Sequence, residues 1–275
     1  NDADSLLGGN GADLILLGED GNDTLVSGAG TAQNLYGANG SDCLQGGNGL
    51  SLVMQGGDGN DTLVAGGGDI RYLTGDTGND SLLGGSGGNN SLFGDAGNDT
   101  LVAGGSNGQQ AYGGNDADSL LGGNGADLIL IGDDGNDTLV SGAGTAQNLY
   151  GQNGSDSLQG GNGYSLVMQG GDGDDTLVAG GGDIRYLTGD TGNDSLLGGS
   201  GGNNSLFGDA GNDTLVAGGS NGQQAYGGND ADSLLGGNGA DLILIGDDGN
   251  DTLVSGAGTA QNLYGQNGSD SLQGG

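Results

Sequence analysis

Along the chain, triplets of an outward hydroxyl residue, an inward leucine and a third, outward residue return at a constant step. Thr62-Leu63-Val64 is typical. Because side chains alternate across a strand, such a triplet predicts a short strand with only Leu63 facing inward. Stepping 19 residues from Leu63 in either direction meets leucine at every landing: Leu6, Leu25, Leu44, Leu82, Leu101, Leu120, Leu139, Leu158, Leu177, Leu196, Leu215, Leu234, Leu253 and Leu272. A second inward column runs through Leu16, Leu35, Met54, Leu73, Leu92 and Ala111, and returns as Leu130, Leu149, Met168, Leu187, Leu206 and Ala225. Two strands per coil and 19 residues per coil follow, in an all-β parallel β-roll of about 14–15 coils stacked at about 4.8 Å.

Two residues before each leucine of the first column stands an aspartate: Asp4, Asp23, Asp42, Asp61, Asp80, Asp99, Asp118, Asp137, Asp156, Asp175, Asp194, Asp213, Asp232, Asp251 and Asp270. Each closes a segment such as Gly56-Gly57-Asp58-Gly59-Asn60-Asp61, which reads G-G-x-G-x-D. Glycines at its first, second and fourth places are expected to give a tight turn its positive φ. Carboxylates stacked about 5 Å apart repel one another, so an unliganded ladder would oppose folding. A hard divalent cation between coils removes that repulsion. Ca²⁺ suits an all-oxygen, flexible site, whereas Mg²⁺ prefers water-rich octahedral coordination and zinc would want His or Cys. About one Ca²⁺ per coil is expected, with the fifteen aspartates as side-chain ligands.

The place that matches the aspartate at the opposite turn reads Leu14, Gln33, Leu52, Arg71, Asn90 and Gln109, a set that cannot hold a calcium row. Calcium is therefore expected along one edge only, with the other edge turning on bare glycine segments such as Gly66-Gly67-Gly68. Arg71 and Arg185, two residues after Asp69 and Asp183, are expected to form exposed local ion pairs of little energetic weight. Outward on the first strand run Ser5, Thr24, Cys43, Thr62, Ser81 and Thr100, a solvated β-compatible face. Outward on the second strand nearly every coil shows an aliphatic or aromatic group. The stripe of Tyr36, Tyr72, Phe93, Tyr112, Tyr150, Tyr186, Phe207, Tyr226 and Tyr264 is read as a partner surface, for a second rod or a polysaccharide.

Composition narrows the function classes. With Gly 73, Pro 0, Trp 0, 32% hydrophobic residues and a net charge of −34, the chain must be either disordered or a metal-neutralised solenoid. The 19-step columns select the solenoid. Two cationic residues exclude nucleic acid as a partner, and no apolar run is long enough to span a bilayer. His 0 and the absence of a nucleophile–base pair speak against an enzyme. Cys43, whose counterpart is Ser157, supports no disulfide framework.

Longer periods are nested on the coil. Asn1-Asp2-Ala3-Asp4 recurs at Asn115–Asp118 and Asn229–Asp232, which defines blocks 1–114, 115–228 and a partial 229–275. The first two blocks differ only at Leu17/Ile131, Glu19/Asp133, Ala38/Gln152, Cys43/Ser157, Leu50/Tyr164 and Asn60/Asp174. No linker interrupts them, so one continuous solenoid over residues 1–275 is expected. No N-terminal signal is visible and Asn1 falls inside a repeat, so the chain is read as a slice of a longer protein.

These in-phase nonapeptides make the whole chain resemble the RTX (repeats-in-toxin) family. The resemblance implies a right-handed calcium β-roll, secretion, and Gly-rich loops that add backbone carbonyls to the aspartate ligands. Typical family rolls use 18 residues per coil and load both edges; the 19-residue, one-edged pattern is closer to repetitive extracellular adhesin and fibril proteins. A calcium-dependent, fibril-forming extracellular rod is the expected function, self-associating end-to-end or side-by-side. An adhesin stalk or an ice- or glycan-binding solenoid is the alternative.

Overall fold

The computed structural model describes residues 2–105, 107–219, 221–240 and 242–275; Asn1, with which the first 114-residue block opens, lies outside the described residues. Every described element is a β-strand, and coils succeed one another 19 residues apart in an all-β parallel solenoid of about 14 turns. The chain divides into two compact units, residues 1–139 and 140–275.

In the first unit the triplets Ser5–Leu7, Thr24–Val26, Cys43–Gln45, Thr62–Val64, Ser81–Leu83, Thr100–Val102 and Ser119–Leu121 pair in sequence order as one parallel sheet. The second strands, from Asp13–Asp20 through Ser51–Asp58 and Ile70–Thr77 to Leu128–Asp134, pair likewise as a longer sheet. Thr62 faces Ser81, Leu63 faces Leu82 and Val64 faces Leu83, so each column read from the sequence is a physical row. The second unit repeats both sheets in the same register, for example Thr176 opposite Ser195 and Met168 opposite Leu187.

Between the sheets of the first unit lie the two inward columns. Leu25, Leu44, Leu63, Leu82, Leu101 and Leu120 come from the short strands, and Leu35, Met54, Leu73, Leu92, Ala111 and Leu130 from the long ones; all are at most 1% exposed. Each such aliphatic side chain contributes roughly 1.5–3 kcal/mol on burial. The core is thus one side chain from each sheet deep. Its two open edges are the turns, where the polar chemistry sits.

Candidate metal edge

The turn that closes on each short strand is held by its aspartate. Asp23, Asp42, Asp61, Asp80, Asp99 and Asp118 are buried in the first unit, as are Asp156, Asp175, Asp194, Asp213, Asp232 and Asp251 in the second, and Asp137 beside the division. Asp4 is exposed and Asp270 half-buried. One carboxylate oxygen of the buried residues within each unit has a fixed role: the backbone N–H of the aspartate one coil earlier donates to it. Asp42 N reaches Asp61 Oδ1 at 2.7 Å, Asp61 N reaches Asp80 Oδ1 at 2.7 Å, and Asp194 N reaches Asp213 Oδ1 at 2.8 Å. The column is a relay of backbone donors and side-chain acceptors that staples each coil to the next.

The other oxygen has no donor. Oδ2 of Asp23, Asp42, Asp61, Asp80, Asp99 and Asp118, and of Asp175, Asp194, Asp213, Asp232 and Asp251 in the second unit, is buried without a hydrogen-bond partner. Its surroundings explain the first glycine of the motif. A Cβ on Gly37 would meet Asp42 Oδ2 and the Gly56 carbonyl oxygen, and one on Gly94 would meet Asp99 Oδ2 and the Gly113 carbonyl. So a carboxylate oxygen and a carbonyl oxygen of the following coil share one cradle with no proton donor between them. Positive φ occurs at the second and fourth places, as at Gly57 (112°) and Gly59 (128°), and not at the first. The first glycine is thus required sterically rather than conformationally, which corrects the expectation that all three serve the turn's backbone. At the second place acids also take the left-handed conformation, at Glu19 (73°), Asp76 (72°) and Asp95 (75°). Asp tolerates it better than bulkier residues.

Burial is the chief cause of the shifted acidities here. It raises the pKa of Asp61, Asp118, Asp175 and Asp232 to about 7, and of Asp80, Asp99, Asp194 and Asp213 to about 6. The backbone hydrogen bond opposes the rise, and neighbouring carboxylates add to it. A row of buried acceptors that lack donors and repel one another fits a hard cation between coils. Among the described residues no three carboxylate, thiol or imidazole groups converge on one point. Any cation held here takes much of its coordination from backbone carbonyls, as Ca²⁺ accepts.

The RTX calcium-binding nonapeptide repeat matches residues 1–31, 53–69, 74–109, 112–147, 167–183, 188–223 and 226–261, most of the chain. This chain belongs to the RTX calcium-binding repeat family. Ca²⁺ is accordingly the ion bound along its repeats. No curated protein matches it.

The RTX coil has a second turn, and there the structure departs from expectation. The edge is not bare glycine. Gln33, Leu52, Arg71, Asn90 and Gln109 point inward and are at most 1% exposed. Arg71 donates from Nη1 to the Ile70 carbonyl (2.9 Å), from Nη2 to Gly49 one coil back (3.0 Å), and from Nε to Gly66 (3.4 Å). Asn90 Nδ2 donates to the carbonyls of Gly85 and Ala103, both at 3.0 Å. Gln33 donates to Gly28 and accepts from Ser27 Oγ at 2.8 Å, and Ser27 Oγ in turn accepts from Gly47 N at 2.9 Å. Asn204 and Gln147 repeat these bonds in the second unit, and Arg185 repeats those from Nη1 and Nη2, whereas its Nε has no acceptor. The carbonyls that a cation would otherwise satisfy are capped by side-chain N–H groups, while Leu52 lays its methyls against Gly46 instead. Arg71 is therefore a buried internal cation rather than half of an exposed ion pair. Burial lowers its pKa and the Asp69 charge partly restores it.

Two further features escaped the sequence reading. At the fifth motif place Asn22, Asn60, Asn79 and Asn98 accept the backbone N–H of the next coil, as in Asn79 N to Asn60 Oδ1 at 2.8 Å. This ladder points forward along the chain while the aspartate ladder points back, so the metal turn is clamped from both sides. A 19-step asparagine column was its available signal. The aromatic residues also pack on one another. Tyr72, Phe93 and Tyr112 have centroids 5.1 and 4.9 Å apart, the latter pair nearly parallel at 3°, and Tyr186, Phe207 and Tyr226 repeat the arrangement. Tyr36 and Tyr150 are half-buried and Tyr264 is exposed. Thr74, two residues after Tyr72 on the same strand, is 8% exposed and donates to Asp95.

Proposed function

We propose that this chain is a calcium-folded structural repeat of an extracellular fibril or adhesin stalk. Its side-chain ligands are the aspartates of the 19-step column, typified by Asp61 and Asp80, and it takes up about one Ca²⁺ per coil. One observation carries the reading: in coil after coil, as beside Gly37, Gly56, Gly94, Gly113, Gly170 and Gly208, a buried carboxylate oxygen without a donor shares its cradle with a carbonyl oxygen of the next coil. When bound, the ion supplies the positive charge that this cradle lacks. The aspartates hold both faces of each site, orient the loops and keep water out of the turn.

Extracellular placement follows from the same chemistry. Sites built from few charged ligands per ion belong to the weak class, with Kd of ~10⁻⁴–10⁻³ M, matched to extracellular calcium. At cytosolic calcium the net charge of −34 keeps the chain open; outside, the ions close it. The repeated coil then serves as a spacer or fibril element, and folded copies associate end-to-end or side-by-side. The test is far-UV circular dichroism with calcium stoichiometry. Little β signal in chelator, a gain at ~0.1–1 mM Ca²⁺ and about one ion per coil are expected. A chain fully folded in excess EDTA would overturn the reading.

A further inference from the structure

The faces of the two sheets differ in charge. None of the three-residue strands carries Asp, Glu, Lys, Arg or His; they read SLL, TLV, CLQ or SLQ. In the long sheet the outward apolar groups run between exposed acids, Asp69 and Asp127 on one side and Asp95 and Asp134 on the other. Tyr72, Phe93 and Tyr112 of that face also pack on one another. In a chain of net charge −34 the short-sheet face is the neutral one.

It is also level. Rows alternate between Thr with Val and Ser with Leu: Thr62/Val64, Ser81/Leu83, Thr100/Val102 and Ser119/Leu121. Thr has one carbon more than Ser, and Val one fewer than Leu, so these rows carry the same side-chain bulk; Cys43/Gln45 in the first unit, and Ser157/Gln159 and Ser271/Gln273 in the second, are neutral rows with a longer polar side chain. The hydroxyl column is exposed, and Leu83 and Leu121 are 42% and 45% exposed; in the second unit Leu197 and Leu235 are 41% and 45% exposed. The result is an uncharged strip, hydroxyl along one side and mostly aliphatic along the other, in which the longer Leu lies beside the shorter Val of a neighbouring row.

We propose that this short-sheet strip is the surface on which a second copy of the chain docks, strip to strip. The occupant is set by charge and period. A second copy brings an equally neutral face, turns both acidic long-sheet faces outward to their greatest separation, and repeats at the same coil spacing. One coil of offset places Leu rows against Val rows. This rests on the reading of the chain as an assembling structural module and assigns the surface that assembles. Seven rows at about 4.8 Å and strands of about 10 Å give each unit's strip about 340 Å², short of the ~800 Å² per partner of a stable pair. Affinity must accumulate over rows.

The test is sedimentation velocity of the whole chain in calcium across ~10 µM to 1 mM protein, the span in which weak pairing is populated. Average mass should rise with concentration. The combined variant Leu83→Glu, Leu121→Glu, Leu197→Glu and Leu235→Glu should stay monomeric while gaining the same β signal in calcium. The milder set of Leu→Gln changes, a residue already present in this column at Gln45 and Gln159, should weaken association at least tenfold. Tyr72→Ser with Tyr186→Ser on the opposite face should leave association unchanged. Association that survives the Glu set, or is lost with the Tyr set, overturns the strip and leaves the fibril reading standing. A calcium-folded wild-type chain that stays monomeric throughout overturns both.

Discussion

A single carboxylate in this protein has two unlike oxygens. Asp61 Oδ1 accepts a hydrogen bond from the Asp42 backbone N–H, while Oδ2 lies buried without a donor. Asp99→Asn should keep the first role and place an N–H in the orphan's cradle. We expect about one fewer Ca²⁺ by titration and a chelated state more ordered than wild type, read by circular dichroism. The acidities set a pH dependence with a definite sign. Burial raises the pKa of Asp61 from 3.8 to about 7, so the metal-free fold is stabilised fully below about pH 4 and loses that stability as pH rises through 7. In EDTA, β signal should therefore increase on acidification from pH 7.5 to 4.5; in calcium the same protons compete with the ion, so its apparent affinity should fall. A chelated chain indifferent to pH would contradict this. The glycines divide in the same residue-by-residue way. Gly57→Asp should be tolerated if the turn relaxes from φ 112°, where a Cβ would meet the Ala38 carbonyl, to the 72° and 75° at which Asp76 and Asp95 hold that place. Gly56→Ala should lower stability in calcium by ~1–3 kcal/mol, since its methyl would press on Asp61 Oδ2 and the Gly75 carbonyl. Thermal melting of the two variants separates them.

The two turns of each coil solve one problem by different means. Both gather carbonyl oxygens at a corner where no strand partner reaches them. One corner is built to receive an ion; the other carries its own donors in Gln33, Arg71 and Asn90. Hydrogen bonds to a charged donor are worth ~1.5–3 kcal/mol, and each buried carbonyl left without one costs ~1–3 kcal/mol. Arg71→Met, which keeps length and loses every donor, should therefore destabilise its coil by about 3 kcal/mol. Amide exchange should rise near Gly49, Gly66 and Ile70, while calcium stoichiometry stays at the wild-type value. A drop in bound calcium would mean that the second edge also depends on metal.

Stacked coils touch only their neighbours, so stability is a sum of coil and interface contributions along the sequence. The aspartate relay makes every metal turn depend on the turn after it, and carboxylates from adjacent coils face one another across each gap. About 14 Ca²⁺ would bring +28 against the net charge of −34. Folding and ion uptake should therefore be one event at high occupancy and become piecemeal as calcium falls. Hydrogen exchange at stepped calcium concentrations should show protection lost coil by coil, first where charge is densest. Loss in a single transition at every concentration would indicate cooperativity beyond nearest neighbours.

The columns of Leu63 and Asp61 were legible in the sequence because a solenoid turns spatial neighbours into a fixed sequence step. Strand pairing, register and coil number all follow from that one period. Side-chain alternation likewise assigned Leu73 and Met54 to the core. Only the tertiary structure decided what a period cannot encode: which way a side chain leaves its turn. Arg71, beside Asp69, reads as a surface ion pair, yet its guanidinium enters the corner because unpaired carbonyls of two coils converge there. Tyr72, Phe93 and Tyr112 read as an outward stripe, but strand spacing brings their rings into contact with one another. Asp61 reads as an acid at the edge; its burial, and the oxygen left without a donor, come from the closing of the coil in front of it. Those outcomes depend on distances across coils, and a residue's own column does not carry them.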